Sequence, residues 1–147
     1  MNVTARLLVL FLLAAMSLAA CAESQLVRDA HPTTLTGTVW RVVAVNGRPP
    51  VPGSEPTAAF AATEIKGSAG CNSYGGSYFY DPATGTIAFR DLGMTAMACA
   101  VPARNEIETL FAQAITQAIS ASIDPEGRLV LSGPGGEIIL AVDAVGS

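Results

Sequence analysis

Three cysteines, Cys21, Cys71 and Cys99, are the residues of this chain with the most distinctive chemistry. Two cysteines far apart in sequence can form a disulfide, act as a redox-active pair, or supply thiolate ligands to a metal ion. Because three is an odd number, at least one cysteine needs a different role. The surroundings of each cysteine decide which chemistry applies.

The first cysteine follows a segment typical of an export signal. Arg6 is positively charged, residues 7–18 form an apolar stretch too short to span a bilayer, and Ala19 and Ala20 suit a signal peptidase. The Leu-Ala-Ala-Cys sequence ending at Cys21 resembles the bacterial lipobox. This resemblance implies a lipoprotein signal peptide over residues 1–20 and an acylated Cys21 that anchors the chain to a membrane. An ordinary secretory signal with an accidental cysteine is the alternative.

Export places the other two cysteines in an oxidising compartment, where a disulfide between Cys71 and Cys99 is the default expectation. A redox-active pair would need a Cys-x-x-Cys unit, which these residues do not form. A metal site lacks ligands, because His31 is the only histidine and precedes the expected domain. The sequence therefore predicts a structural disulfide, no metal site and no cofactor.

The rest of the chain carries no recognisable catalytic constellation. A Ser-His-Asp triad needs a histidine inside the fold, and neither Ser73 nor Ser77 has Gly-x-Ser-x-Gly spacing. The single lysine, Lys66, belongs to no phosphate-binding loop. Glu106 and Glu108 are two residues apart, and such residues on a helix point to different faces. We expect both to be solvated charges of a first helical turn, and we expect no enzymatic activity.

Charge and length limit the partners. Without residues 1–20 the chain has 7 basic and 12 acidic side chains, a net charge of −5, and enough length for one compact core. No Lys/Arg cluster is present to bind nucleic acid or anionic lipid. Ala22 is not the Asp that commonly retains lipoproteins at the inner membrane. The sequence therefore predicts a monomer at the periplasmic face of the outer membrane, with an unidentified envelope protein or lipid as partner.

Hydrophobic patterning divides the mature chain into a flexible tether, residues 21–34, and one domain, residues 35–143. Apolar residues at helical spacing predict an amphipathic helix over about residues 103–118, with Pro102 at its first position. Alternating and β-branched segments predict about eight strands, at residues 38–45, 57–62, 64–68, 77–80, 86–91, 120–123, 128–131 and 137–142. These elements predict an α+β fold, a small open antiparallel β-barrel or curved sheet packed on the helix.

Large apolar side chains allow two interpretations. Trp40, Phe89 and Phe111 are expected in the core, and Met94 and Met97 are expected to be packing residues. Alternatively, the aromatic side chains form the wall of a groove for an acyl chain or a hydrophobic peptide.

A glycine-rich turn surrounds the second cysteine. Gly70 and Asn72 flank Cys71, and both residue types tolerate positive φ. A turn of this kind directs Cys71 across the domain instead of along a strand.

Two motifs resemble those of the META domain, or HslJ-like, family. Residues 67–78 match its Gly-x-Ala-Gly-Cys-Asn-x-x-x-Gly-x-Tyr stretch, and residues 95–99 match its Thr-x-Met-Ala-Cys stretch. An early Gly-x-x-Trp, residues 37–40, also fits. Ala100 departs from the pattern, because many members have proline there.

The resemblance covers about residues 34–143 and implies an exported bacterial protein with a small open β-barrel, often a lipoprotein, loosely associated with stress tolerance. No catalytic residue is established for the family, which is also similar to secretin-pilot lipoproteins that bind acyl chains. The predicted function is a non-enzymatic, membrane-anchored envelope protein that acts in envelope maintenance or stress tolerance through protein contacts. A carrier of an acyl chain or hydrophobic peptide is the alternative.

Overall fold

The computed structural model describes residues 31–142, so the predicted signal peptide, Cys21 and most of the predicted tether lie outside the described residues. The elements are, in chain order, β1 (Thr38–Val45), β2 (Thr57–Phe60), β3 (Glu64–Ser68), β4 (Ser73–Asp81), β5 (Thr86–Met94), α1 (Pro102–Thr116), β6 (Ser120–Ile123), β7 (Leu129–Gly133) and β8 (Gly136–Val142). No helix within residues 31–142 is long and apolar enough to cross a membrane.

The eight strands form a closed antiparallel barrel. Each strand pairs with the next along the chain, and β1 pairs with β8. The predicted small antiparallel barrel with one helix is confirmed, with the barrel closed instead of open. Closure depends on a short seam, because β5 and β6 share a single register pair, Thr86 with Ser120. Helix α1 connects these two strands and packs against β5 and β8.

Helix α1 begins at Pro102, where the missing N–H costs little because the first turn has no intrahelical acceptor. The observed bounds differ from the predicted ones by one residue at the start and two at the end. One face of the helix is buried, and its apolar residues there are Ile107, Phe111, Ala114 and Ile115. The apolar stripe that predicts the helix is thus the face that packs on the sheet.

Apolar side chains fill the interior of the barrel, as expected for eight strands, which enclose just enough space for side chains. Phe111 is fully buried, and its ring centre lies 5.1 Å from that of Tyr74. Trp40 is also buried, as predicted, whereas Phe89 is only partly buried against the core. The strands contribute most of the other large buried residues, which include Val42, Val45, Phe60, Ile65, Ile87, Leu129, Leu131, Ile138 and Leu140.

Strands β4 and β5 are longer than predicted. β4 begins at Ser73, inside the glycine-rich stretch that the sequence assigns to a turn, and β5 continues to Met94. The register between the two strands shifts opposite Gly76, which marks a β-bulge, and Asp91 in the bulge has a φ of 53°. A Cβ atom on Gly76 would lie 2.7 Å from the Arg90 carbonyl oxygen. Glycine is required there by the close approach of the bulged strand β5.

The chain ahead of β1 contacts the barrel. The Tyr80 hydroxyl donates a hydrogen bond of 2.6 Å to the Pro32 carbonyl oxygen, and Nδ1 of His31 lies 3.3 Å from the Ala121 carbonyl oxygen. Leu35 is buried in the core. Residues 31–34, which the sequence assigns to the tether, therefore include groups that bind the domain surface.

Replacement of the central core aromatic tests the packing of α1 in the barrel. We expect Phe111→Ala to lower the free energy of unfolding by about 3–5 kcal/mol, because it removes a fully buried ring and leaves a cavity. Phe79→Ala is the matched control, since the Phe79 side chain is 60 % exposed, and we expect it to change stability by less than about 0.5 kcal/mol. Urea unfolding of both variants measures the difference, and equal losses would contradict this packing.

Candidate functional site

A disulfide joins the β3–β4 turn to the segment that enters α1. Cys71 lies in the turn and Cys99 lies three residues before the helix, with Cα atoms 5.7 Å apart and a sequence separation of 28. The predicted disulfide is therefore present. It fixes the start of α1 to the end of the barrel that contains this turn.

The turn itself uses Gly70 and Asn72 in different ways. Gly70 has a φ of 120°, which disfavours other residue types, and its N–H is bonded to the Ser68 hydroxyl at 3.0 Å. Among the described residues other than glycine, only Asn46 and Asp91 have positive φ. Asn72 therefore acts through its side chain and not through a left-handed backbone.

The Asn72 side chain is buried and uses its full hydrogen-bonding capacity. Its Oδ1 accepts from the Thr95 hydroxyl and from the Met97 N–H, both at 2.8 Å. Its Nδ2 donates to the Met97 carbonyl oxygen at 3.0 Å and to Oε1 of Glu108 at 2.5 Å. One side chain thus connects the turn, the segment after β5 and the helix.

Glu108 is the buried carboxylate of this cluster, at 9 % exposure. Its Oε2 accepts hydrogen bonds from the N–H groups of Cys71, at 3.1 Å, and Asn72, at 2.7 Å. The prediction that Glu108 is a solvated first-turn charge is wrong, because these bonds replace the water that a buried carboxylate loses. Glu106 is solvated as predicted, since it is exposed and pairs with Arg48 at 3.2 Å, but neither glutamate lies in the first helical turn.

The burial of Glu108 is predictable from its helical spacing, although its charge alone indicates an exposed position. Glu108 precedes Phe111 by three residues and Ile115 by seven, so the helical period places it on the buried face of α1. Asn105, for which the sequence predicts no role, accepts a hydrogen bond from the Cys99 N–H at 3.2 Å and donates one to the Cys99 carbonyl oxygen. Both polar residues hold the helix entry from the helix side.

Residues 94–101, here called the methionine segment, are held in place by these contacts. The Thr95 N–H donates to the Ser73 carbonyl oxygen at 3.0 Å, Asn72 binds the Met97 backbone on both sides, and Cys99 closes the segment. Its apolar side chains nevertheless face solvent, with Met97 62 % exposed and Val101 40 % exposed. The prediction that Met97 is a packing residue is wrong.

An apolar slot lies beside the methionine segment, between β5 and α1. It has a volume of about 100 Å³ and is lined by Tyr74, Leu92, Gly93, Met94, Ala112, Ile115 and Thr116. Burial raises the pKa of the Tyr74 phenol, which remains a neutral donor to the Thr57 carbonyl oxygen at 2.8 Å. Tyr74 is the only aromatic residue that lines this slot, so the slot is not the aromatic-walled groove that the sequence offers as an alternative.

The chemistry of the cluster is that of structural hydrogen bonding. Asn72 and Glu108 have partners inside the protein for their polar atoms, and the two sulfur atoms are bonded to each other. The sulfur atoms of Cys71 and Cys99 and a carboxylate oxygen of Glu108 lie within 4.8 Å of one another, a set of donors that suits a metal ion only when the disulfide is open.

The fold and this cluster define a class of small antiparallel barrels in which an inserted helix is joined to a strand turn by a disulfide and a buried carboxylate. The META domain family matches residues 33–145. The chain belongs to the META domain family.

Solved structures share this fold. An NMR structure of a protein from Burkholderia xenovorans is similar with a TM-score of 0.63 at 23 % identity, over 80 % of this chain and 92 % of that chain. A second NMR structure has a TM-score of 0.58 at 24 % identity, over 73 % and 90 %. A crystal structure of a DUF4847 family protein from Bacteroides vulgatus has a TM-score of 0.51 at 20 % identity, over 74 % and 94 %. No functionally curated protein matches the chain.

Loss of the buried charge should weaken the domain far more than loss of the exposed one. We expect Glu108→Gln to lower the free energy of unfolding by about 2 kcal/mol, because an amide nitrogen would face N–H donors that now reach a carboxylate. Glu106→Gln removes an exposed ion pair and should cost less than about 1 kcal/mol. Urea unfolding of the oxidised protein provides the comparison, and equal effects of the two substitutions would contradict the importance of the buried carboxylate.

Proposed function

We propose that this META-domain protein is a non-enzymatic lipoprotein of the cell envelope, anchored through Cys21, and that it acts in envelope maintenance or stress tolerance through protein contacts. The outer membrane is the proposed site, with the domain on its periplasmic face. The lipobox-like sequence at residues 18–21 supports the anchor. The Cys71–Cys99 disulfide supports an oxidising compartment, because disulfides persist there and are rare in a reducing cytoplasm.

The methionine segment carries the proposal of protein contacts. It presents exposed apolar side chains on a backbone that a disulfide and the Asn72 hydrogen bonds hold in one conformation. A surface ordered before binding loses little conformational entropy on association, and exposed methionine adapts to varied apolar partners. Met97 is therefore the residue that we expect to contact a partner protein.

The internal hydrogen bonding of the cluster supports a binding role over catalysis. A catalytic acid, base or nucleophile must reach a substrate, whereas the Glu108 carboxylate and the Asn72 amide are occupied by contacts within the domain. The stress-tolerance part of the proposal comes from the family resemblance and not from geometry.

A charged substitution on the methionine segment tests this function. In a strain without the gene, we expect Met97→Asp to fail to restore growth under envelope stress, such as detergent, because the charge opposes an apolar contact. Phe79→Asp should restore growth, since Phe79 is equally exposed, at 60 % against 62 % for Met97, but lies on β4. Both variants should unfold within about 0.5 kcal/mol of the wild-type protein, as expected for exposed sites.

Site-specific crosslinking supplies the molecular readout of the same comparison. A photoreactive amino acid at position 97 should crosslink the lipoprotein to a defined envelope protein, and the same group at position 79 should not. A deletion strain without an envelope phenotype, together with no crosslink at position 97, would contradict the proposal.

A carrier of an acyl chain or hydrophobic peptide is the second candidate function, favoured by the slot between β5 and α1. The slot volume of about 100 Å³ suits one apolar side chain, whereas a long acyl chain needs several times this space. Side chains fill the barrel interior, so a carrier would have to open between α1 and β5. The geometry therefore favours protein contacts.

Intact mass of the purified protein distinguishes the two functions. We expect the same protein mass under native and denaturing conditions, because the filled interior leaves no room for a bound chain. A native mass that is larger by a few hundred daltons, on the order of one lipid or short peptide, and that returns to the protein mass on denaturation would establish the carrier function instead.

A further inference from the structure

Three side chains with metal-binding atoms meet where α1 enters the barrel. The sulfur atoms of Cys71 and Cys99 and a carboxylate oxygen of Glu108 lie within 4.8 Å of one another. They come from the β3–β4 turn, from the methionine segment and from the second turn of α1. The sequence predicts no metal site, because its only histidine, His31, precedes the expected domain.

We propose that opening the disulfide converts this cluster into a binding site for a thiophilic divalent cation of the Zn²⁺ type, with Cys71, Cys99 and Glu108 as ligands. A dithiol reductant supplies two electrons and two protons, so that the disulfide becomes two thiols and the reductant becomes a disulfide. Binding of the cation then releases the two thiol protons, and two thiolates and one carboxylate coordinate the ion.

The distances between the three donor atoms are close enough that side-chain rotation alone would form the metal site. Zn²⁺ binds sulfur at about 2.3 Å and carboxylate oxygen at about 2.0–2.2 Å, which places the ligand atoms of a tetrahedral site roughly 3–4 Å apart. The three donor atoms are already within 4.8 Å. When the two sulfur atoms separate, rotation of the cysteine side chains brings all three donors to this spacing.

The backbone around the cluster is held by contacts that do not involve sulfur. Asn72 binds Glu108 and the Met97 backbone, and Asn105 binds both backbone groups of Cys99. These hydrogen bonds keep the two cysteines near each other after the disulfide opens. A site ordered in this way loses less entropy when it binds an ion.

The Glu108 carboxylate accepts three hydrogen bonds and keeps acceptor capacity for one more partner. Its Oε2 accepts two backbone hydrogen bonds, from Cys71 and Asn72, whereas its Oε1 accepts one, from the Asn72 amide. Oε1 therefore has a free lone pair, and the bonds to the other oxygen fix the carboxylate as outer-shell partners fix ligands in metal sites. Two thiolates select a soft cation over Mg²⁺ or Ca²⁺, which prefer oxygen alone.

Cobalt binding to the reduced protein tests the proposal. The full chain carrying Cys21→Ser, in which Cys71 and Cys99 are the only cysteines, is reduced with a phosphine, so that no added thiol competes for metal. We expect Co²⁺ to give thiolate-to-cobalt charge-transfer absorption and the visible bands of a tetrahedral ion, and we expect Zn²⁺ to abolish them. The oxidised protein should give neither signal.

Matched variants identify the ligands. Glu108→Gln should weaken Co²⁺ binding by about tenfold or more, since loss of outer-shell partners alone typically costs 10–100-fold. Glu106→Gln should bind as the parent does, and Cys71→Ser with Cys99→Ser should not bind. Near-ultraviolet circular dichroism of each reduced variant verifies its fold. The ¹¹³Cd NMR shift of the reduced parent reports two sulfur ligands with an oxygen ligand without any substitution at Glu108.

The proposal is overturned if the reduced parent binds Co²⁺ no more tightly than the double serine variant. It is also overturned if Glu108→Gln and Glu106→Gln bind equally well, or if ¹¹³Cd NMR reports sulfur ligands alone. Metal-dependent recovery of structure in a reduced protein that has lost its fold would support the site, because binding then supplies folding free energy.

Discussion

The hydrogen bonds between Asn72 and the buried Glu108 carboxylate are the constraint on which the packing of α1 against the β3–β4 turn depends. Removing a carboxylate from water is costly unless donors replace the lost hydration. Here the donors come from the Cys71 and Asn72 N–H groups and from the Asn72 amide. Because these donors belong to a strand turn and the acceptor belongs to α1, satisfying the charge fixes the helix on the barrel.

The disulfide and the hydrogen bonds stabilise the methionine segment in different ways. The disulfide restricts the chain between positions 71 and 99 in the unfolded state, which limits the number of unfolded conformations. The Asn72 hydrogen bonds act in the folded state, where they fix the Met97 backbone on both sides. The exposed Met97 side chain therefore stands on an ordered backbone, and this combination is the basis of the contact surface that we propose.

Local sequence pattern predicts most of the fold and only part of the site. The helix follows from apolar spacing, and β1, β3 and β6 have the predicted bounds. The sequence does not predict the early start of β4, because a glycine such as Gly76 normally indicates a turn. In the structure, Gly76 lies within the strand and leaves room for the approach of the Arg90 carbonyl oxygen. That approach is a tertiary contact, which no local pattern encodes.

The site residues also differ in how far local sequence predicts their roles. The disulfide between Cys71 and Cys99 is predictable, because the sequence has only three cysteines and Cys21 follows an export-like segment. The charge of Glu108 predicts an exposed position, whereas its spacing from Phe111 and Ile115 predicts a buried one. Glu108 is buried because the Cys71 and Asn72 N–H groups, which are distant in sequence, donate hydrogen bonds to its carboxylate. Exposure of Met97 likewise depends on how the segment is held, since methionine by itself indicates packing.

The pairing of β1 with β8 has a consequence for the order in which this protein can be completed. The two strands lie at opposite ends of the described chain, with partners such as Arg41 and Ala141 separated by almost the whole domain. During vectorial delivery of a polypeptide, the first strand emerges long before its final neighbour exists. The barrel can therefore close only after its last strand has been delivered, and until then the chain cannot complete its fold.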